Sequence, residues 1–347
     1  MTMRILVTGH KGYIGTILVP MLIAEGHEVV GFDSDLYARC SFTEGMVEVP
    51  EILKDVRDAE PADLEGIDAV MHLAGLSNDP LGDLNPALTY EINHRASVSL
   101  AELAKKAGVK RFIFSSSCSN YGAAGDDLID EGGAFNPVTP YGESKVAVER
   151  DLAKLADDRF SPILLRNATA YGVSPRLRFD LVLNNLVAWA YTTGKVYLKS
   201  DGSPWRPIVH IEDISRAFIA VLHAPIELVH NEAFNVGRSD QNFRIRELAE
   251  IVMHTVPGCQ VTFADQAGPD KRNYRVDFSK IQRTIPEFKP VWDARKGAQE
   301  LYEAYKRSDL RVEDFEGSKY KRIDHIKMLI ATGKLDPGLR WRNPTHS

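Results

Sequence analysis

The chain has 347 residues, a formal net charge of −6, and 44% apolar and 26% charged residues. These proportions exclude collagen, coiled-coil and disordered classes, and the length suits one large α/β domain carrying a lobe, or two domains. The acidic balance supplies no field for nucleic acid, so a phosphate-bearing ligand would need local cations.

Cys40, Cys118 and Cys259 are odd in number and lack paired spacing, which removes a disulfide framework and a CxxC metal site. A reducing compartment and no metal are expected. No stretch approaches the roughly 18 apolar residues of a membrane span, and residues 1–9 read as a strand, not a signal peptide. A cytoplasmic protein with no membrane partner is the expectation.

In chain order, Arg4–Thr8 reads as a buried strand, followed by a helix over Tyr13–Glu25 that Gly26 closes. Strands follow at Glu28–Asp33 and Asp68–Leu73, then a helix over Pro86–Ala107 stopped by Gly108. Arg111–Ser115 is a further strand, Tyr141–Ala156 a helix and Ser161–Arg166 a strand. Strands separated by helices imply parallel pairing with right-handed crossovers, hence a doubly wound sheet. After Gly172 the alternation breaks, with a helix over Leu181–Thr192, a strand at Lys195–Lys199 and a Pro-rich turn before Pro207. Ile208–Ile211 reads as a return to the sheet and Glu232–Val236 as another strand, and from Asn242 the chain reads as helical and irregular. The expected division is 1–172 plus 207–240 for the sheet domain and 173–206 plus 241–347 for a smaller, interleaved substrate lobe.

Gly9, Gly12 and Gly15 lie between the first strand and an amphipathic helix, spaced GxxGxxG. Such a loop lets backbone N–H groups and a helix N-terminus face a pyrophosphate, although a tight turn alone can also use glycines. Asp33 ends the second strand 18 residues beyond Gly15. A carboxylate there can accept from both adenosine ribose hydroxyls and repels a 2′-phosphate, which favours NAD over NADP. Tyr141 and Lys145 stand at i and i+4 after Pro140, so they share a helix face, and the ammonium can ease ionisation of the phenol. Ser115, Ser116 and Ser117 end a strand, where open α/β sheets bind ligands. A lone YxxxK or a lone serine tract says little; together with the glycine loop they mark hydride chemistry.

The chain resembles the extended short-chain dehydrogenase/reductases of the nucleotide-sugar epimerase/dehydratase type, whose best-known member is UDP-galactose 4-epimerase. The residues that carry the resemblance are Thr8–Gly15, Asp33, Asp55-Val56, His72–Gly75, Asn93, Phe112–Ser117, Tyr141–Lys145 and Arg206–His210. The resemblance implies a Rossmann sheet with a C-terminal substrate lobe, a nucleotide-diphosphate sugar as substrate, NAD as cofactor and a homodimer. Tyr141 would be the acid/base, Lys145 would lower its pKa and hold the nicotinamide ribose, and Ser117 would bind the reacting sugar oxygen. The cofactor would be held by Gly9, Gly12, Tyr13, Ile14, Gly15, Asp33, Asp55 and Val56. Leu73, Ala74, Gly75, Asn93 and Ser115 would complete its site, with Asn93 in the helix behind. Asn167, Asn185, Arg206 and Arg272 would contact sugar or diphosphate, and the loop residues Ser77 and Asn78 would border the sugar.

Departures narrow the reaction. Dehydratases of this type carry an Asp-Glu pair after the strand-end hydroxyl residue and decarboxylating members a glutamate; this chain has Cys118-Ser119-Asn120. The acids for elimination are missing, and no base is identifiable beside Cys118 to make it a nucleophile. Epimerisation, expected at sugar C4 through a transient ketose, or reduction of a keto sugar by NAD(P)H remains. A cofactor-sensing regulator is the other class of reading, and it has no use for the Tyr141–Lys145 pair. About forty residues follow a helix at Ala298–Lys306, with a further helix over Ile323–Thr332. Its stripe of Ile323, Ile326, Leu329 and Ile330 suits docking on the body or a partner subunit.

Overall fold

A computed structural model describes residues 2–77, 85–198, 200–263 and 272–342. The early strands are β1 (Arg4–Thr8), β2 (Glu28–Asp33), β3 (Glu51–Leu53), β4 (Ala69–His72), β5 (Arg111–Ser117), β6 (Ala123–Ile129) and β7 (Ser161–Asn167). Then come β8 (Thr169–Tyr171), β9 (Lys195–Leu198), β10 (Trp205–His210), β11 (Glu232–Val236), β12 (Asn242–Arg244), β13 (Gln260–Phe263) and β14 (Asn273–Val276). Among the described residues, seven strands form one parallel sheet in the order β11-β7-β5-β4-β1-β2-β3. The order reverses beside β1, which is the switch point where such sheets leave a crevice.

The central strands are apolar along their whole length because both faces are covered. Ile5 and Val7 enter one core with the helices Gly15–Ala24 and Ile211–His223, while Leu6 enters another with the helices Ala96–Lys106 and Pro140–Leu155. Ala69 and Met71 against Val70, and Ile113 against Phe112 and Phe114, repeat the two-residue alternation. A third core holds the second lobe, around Leu183, Leu186 and Val187 of the helix Val182–Thr193, with the helices Ile245–Thr255 and Ala294–Arg307.

Several expectations need correction. Ile208–His210 does not return to the main sheet: β10 pairs in parallel with β8 and antiparallel with β12 in a separate three-stranded sheet. Pro207 lies inside β10, which ends the apolar run's resemblance to a central strand. The region after Asn242 is not purely helical, since β12, β13 and β14 each pair with an earlier strand. These strands are only three or four residues long, too short for a readable alternation. The helix expected over Pro86–Ala107 runs from Pro86 to Lys106, with a π-helical stretch at Tyr90–Arg95 that the sequence pattern does not announce. The apolar stripe near the C-terminus takes one of its two expected placements, the chain's own sheet domain, where Ile326 and Leu329 belong to the same buried cluster as Leu6, Val30 and Leu100.

Candidate functional site

The carboxyl ends of β1, β2, β4, β5 and β7 open into a cavity of about 880 Å³, closed opposite by the second lobe and by residues near 315–323. Gly9 has φ +72°, and its N–H donates to the Phe32 carbonyl at 2.8 Å. A Cβ on Gly9 would stand 2.8 Å from the Ala74 nitrogen, and one on Gly15 only 2.3 Å from the Gly9 carbonyl oxygen. Gly15 is therefore needed for its own loop to close rather than for packing helix on sheet. A Cβ on Gly12 would meet only the Gly9 carbonyl, so its open side is left to the cavity. The helix Gly15–Ala24 receives no side-chain cap at Ile14, and Tyr13, Ile14 and Gly15 border the cavity. That is a cradle for an anion.

Asp33 sits beside this loop and accepts from the Lys11 N–H at 3.0 Å and the Asp35 N–H at 2.8 Å. Burial pushes its carboxyl upward in pKa. Asp55 and Val56 also border the cavity, but Asp55 is committed to Arg57, with its carboxylate 2.6 Å from Nη2. Leu73, Ala74 and Gly75 line the wall. Asn93 does not: it is 1% exposed and holds Leu76 by both backbone groups, at 2.7 and 3.0 Å. The expected cofactor contact of Asn93 becomes a brace for the wall segment. Behind the wall His72 bridges the Thr8 and Ser97 hydroxyls at 2.6 and 2.7 Å, and burial lowers its pKa to about 3.

Thr139 caps the helix Pro140–Leu155, its hydroxyl accepting from the Gly142 N–H, and Pro140 presets the first turn. Tyr141 in that turn lines the cavity. Lys145, one turn on, is 5% exposed; its Nζ donates to the Ser115 carbonyl at 2.7 Å and lies 5.6 Å from the Tyr141 ring centre. Burial lowers the ammonium to about 7, against the opposing pull of Glu149. Ser117 lines the cavity and its hydroxyl accepts from the Ser119 N–H at 3.1 Å. Asn167 donates to the Ser115 hydroxyl at 3.1 Å, while its Oδ1 and the Ser119 hydroxyl are buried with no partner among the described residues. Cavity-lining polar atoms left unsatisfied fit a polar ligand.

Sequence reasoning missed what supports this cluster. Glu149, a further turn beyond Lys145, is 4% exposed and pairs with Arg166 at 2.7 Å, while also accepting from Ser116 and Asn120. The signal was present as a third member of the i, i+4, i+8 face begun by Tyr141 and Lys145. Cys118 is fully buried, its thiol donating to the Arg166 carbonyl at 3.1 Å and pushed up in pKa by burial. It is a packing residue, not a nucleophile.

Ser77, Asn185, Arg206 and Arg272 also line the cavity. Arg206 donates to the Arg272 carbonyl at 3.0 Å and lies over the Tyr274 ring, and Asn185 donates to the Phe179 carbonyl at 2.9 Å. Asn78 lies outside the described residues. Arg178, not anticipated, donates to the Ser77 hydroxyl at 2.9 Å and pairs with Asp180 at 2.6 Å. The C-terminal residues Tyr320, Lys321, Arg322 and Leu339 border the same space, which goes beyond the packing expected of that segment.

Residues 5–237 match the model of the NAD dependent epimerase/dehydratase family. The chain is 29% identical over 330 residues to UDP-glucose 4-epimerase of Bacillus subtilis (strain 168), covering 86% of this chain and 94% of that one. It is 30% identical over 317 residues to UDP-glucose 4-epimerase of Lactobacillus helveticus, covering 83% and 92%. Among solved structures it is similar to MoeE5 in complex with UDP-glucose and NAD, with a TM-score of 0.74, 27% identity, and coverage of 88% of this chain and 100% of that one. No helix among the described residues is long and apolar enough to cross a membrane. With its parallel sheet, glycine cradle and Tyr-Lys helix, the chain belongs to the NAD-dependent epimerase/dehydratase family, as an NAD-dependent nucleotide-sugar enzyme of the extended short-chain dehydrogenase/reductase type.

Proposed function

We propose that this enzyme epimerises a nucleotide-diphosphate sugar at C4 through a transient keto sugar. The observation that carries the reading is the placement of Tyr141 and Lys145, one helix turn apart, in the cavity that the glycine loop opens. NAD, when bound, would supply reversible hydride acceptance at the sugar carbon. Gly9, Gly12, Gly15 and Asp33 would hold it. Tyr141 removes the proton from the sugar hydroxyl as the carbonyl forms, holds it as a neutral phenol and returns it afterwards, and the Lys145 charge stabilises the phenolate that precedes and follows those two transfers. Ser117 donates to the same sugar oxygen and keeps it in line. Arg206, Arg272 and Asn185 hold the diphosphate and Ser77 and Asn167 the sugar, since planar guanidinium groups suit phosphate oxygens.

The residues after Ser117 favour simple hydride chemistry over elimination. Cys118 and Asn120 are fully buried and tied to Arg166 and Glu149, so neither presents an acid to the sugar. The test is incubation of purified protein with UDP-glucose and UDP-galactose without added cofactor, following the epimer ratio by chromatography. Interconversion without net NADH consumption, abolished in Tyr141→Phe while NAD stays bound, is expected. Stoichiometric oxidation of added NADH or NADPH with a keto sugar, and no epimer formed, would overturn the reading.

A further inference from the structure

The C-terminal segment is tied to the segments that follow β2 and β3. The Trp341 Nε1–H donates to the Ser34 carbonyl at 2.7 Å, His325 bonds the Leu36 carbonyl at 3.2 Å, and Arg57 donates to the Gly338 carbonyl at 2.8 Å. These contacts carry Arg322, first residue of the helix Arg322–Ala331, into the wall of the cavity.

Arg322 is 8% exposed, its guanidinium lying 4.3 Å from the Tyr37 ring centre. Its one hydrogen bond among the described residues is long, 3.4 Å to the Arg176 carbonyl. The neighbouring buried arginines each hold a carboxylate: Arg176 pairs with Asp35 at 3.0 Å and Arg178 with Asp180 at 2.6 Å. Arg322 makes no such pair among the described residues. Burial and then the Arg178 charge pull its pKa down, with Tyr37 and Asp180 opposing more weakly. A buried guanidinium without a carboxylate is costly unless something anionic completes it. The ten-residue helix that begins there adds its positive N-terminal end.

We propose that Arg322 is a phosphate-binding residue of this cavity, supplied by the C-terminal segment, and that its ligand is a diphosphate group. Two molecules bring that chemistry, the dinucleotide and the nucleotide sugar. Only the second rests on the function proposed above, and binding measurements are independent of whether epimerisation occurs. The planar fork of arginine takes two phosphate oxygens at once, which a lysine cannot reproduce.

The test uses full-length protein stripped of cofactor, as wild type, Arg322→Gln and Arg322→Lys, titrated calorimetrically with NAD, UDP, adenosine and uridine. Arg322→Gln is expected to weaken NAD or UDP at least tenfold while the phosphate-free nucleosides change less than about twofold. Loss for NAD alone assigns the cofactor phosphates, and loss for UDP alone assigns the substrate side. Arg322→Lys should fall between, weakened about threefold or more. NAD and UDP binding Arg322→Gln within twofold of wild type would overturn the proposal. So would nucleosides weakened as much as their diphosphates, which marks a packing role. If Arg322→Gln does not fold, Arg322→Lys decides: unchanged NAD and UDP affinities overturn it.

Discussion

Lys145 donates to the Ser115 carbonyl at 2.7 Å, so the ammonium on the helix Pro140–Leu155 is held by the very strand end that bears the serine tract. The bond fixes the charge but does not offset its burial, and the pKa falls from 10.5 to about 7. Between those values the unfolded chain binds the extra proton and the folded one does not, so stability rises with pH across that window. Urea unfolding of cofactor-free protein should show a gain between about pH 7 and 10 that Lys145→Met lacks, on the order of a few kcal/mol. Equal slopes in the two proteins would count against it.

The Glu149–Arg166 pair gives a sharper stability test. Glu149→Ala leaves a guanidinium buried with no carboxylate, which costs about 3–5 kcal/mol. The double variant Glu149→Ala/Arg166→Met removes both charges and should recover a large part of that loss. A double-mutant cycle in urea checks it, and strict additivity would show that the two side chains are not coupled.

On the proposed reading Asp33 sets the choice between NAD and NADP. Asp33→Asn keeps the acceptor for one backbone N–H but removes the charge that repels a 2′-phosphate. The NAD to NADP affinity ratio should fall at least tenfold, about 1.4 kcal/mol. Titration of each dinucleotide measures it directly.

Cys118→Ala should leave turnover within about threefold of wild type, because the thiol is buried and spends its proton on the Arg166 carbonyl. Its stability should drop by roughly 1–2 kcal/mol for the small cavity and the lost bond. Turnover reduced a hundredfold would restore the nucleophile reading.

The sheet was legible because its strands are buried on both faces and its helices are long; β1, β2, β5 and β7 lie where the apolar runs and their punctuation put them. The glycine loop, Asp33, Ser117, Tyr141 and Lys145 were legible because each is local and tied to a strand end or a first helical turn. What escaped was assembled across distance. Arg166 reaches the helix residue Glu149 from β7, and Arg322 reaches Tyr37 over some 280 residues; helix periodicity places Glu149 on the Lys145 face but does not announce either partner. Pro207 inside β10 misled in the opposite sense, since an apolar run beside a proline reads as a sheet strand until its partners, β8 and β12, are known.

The hydrogen bond from Trp341 to Ser34 spans 307 positions of sequence, and this sets an order of assembly. During synthesis, β1 to β5 leave the ribosome long before residue 341 does, so the sheet can form while one side of its crevice is still unbuilt. The cavity is therefore completed last, by residues that take no part in the sheet. A nascent chain stalled near residue 310 should bind dinucleotide with fast exchange, and the same chain extended past residue 342 should exchange it slowly. Equal exchange in the two would show that the late contacts add nothing to the wall.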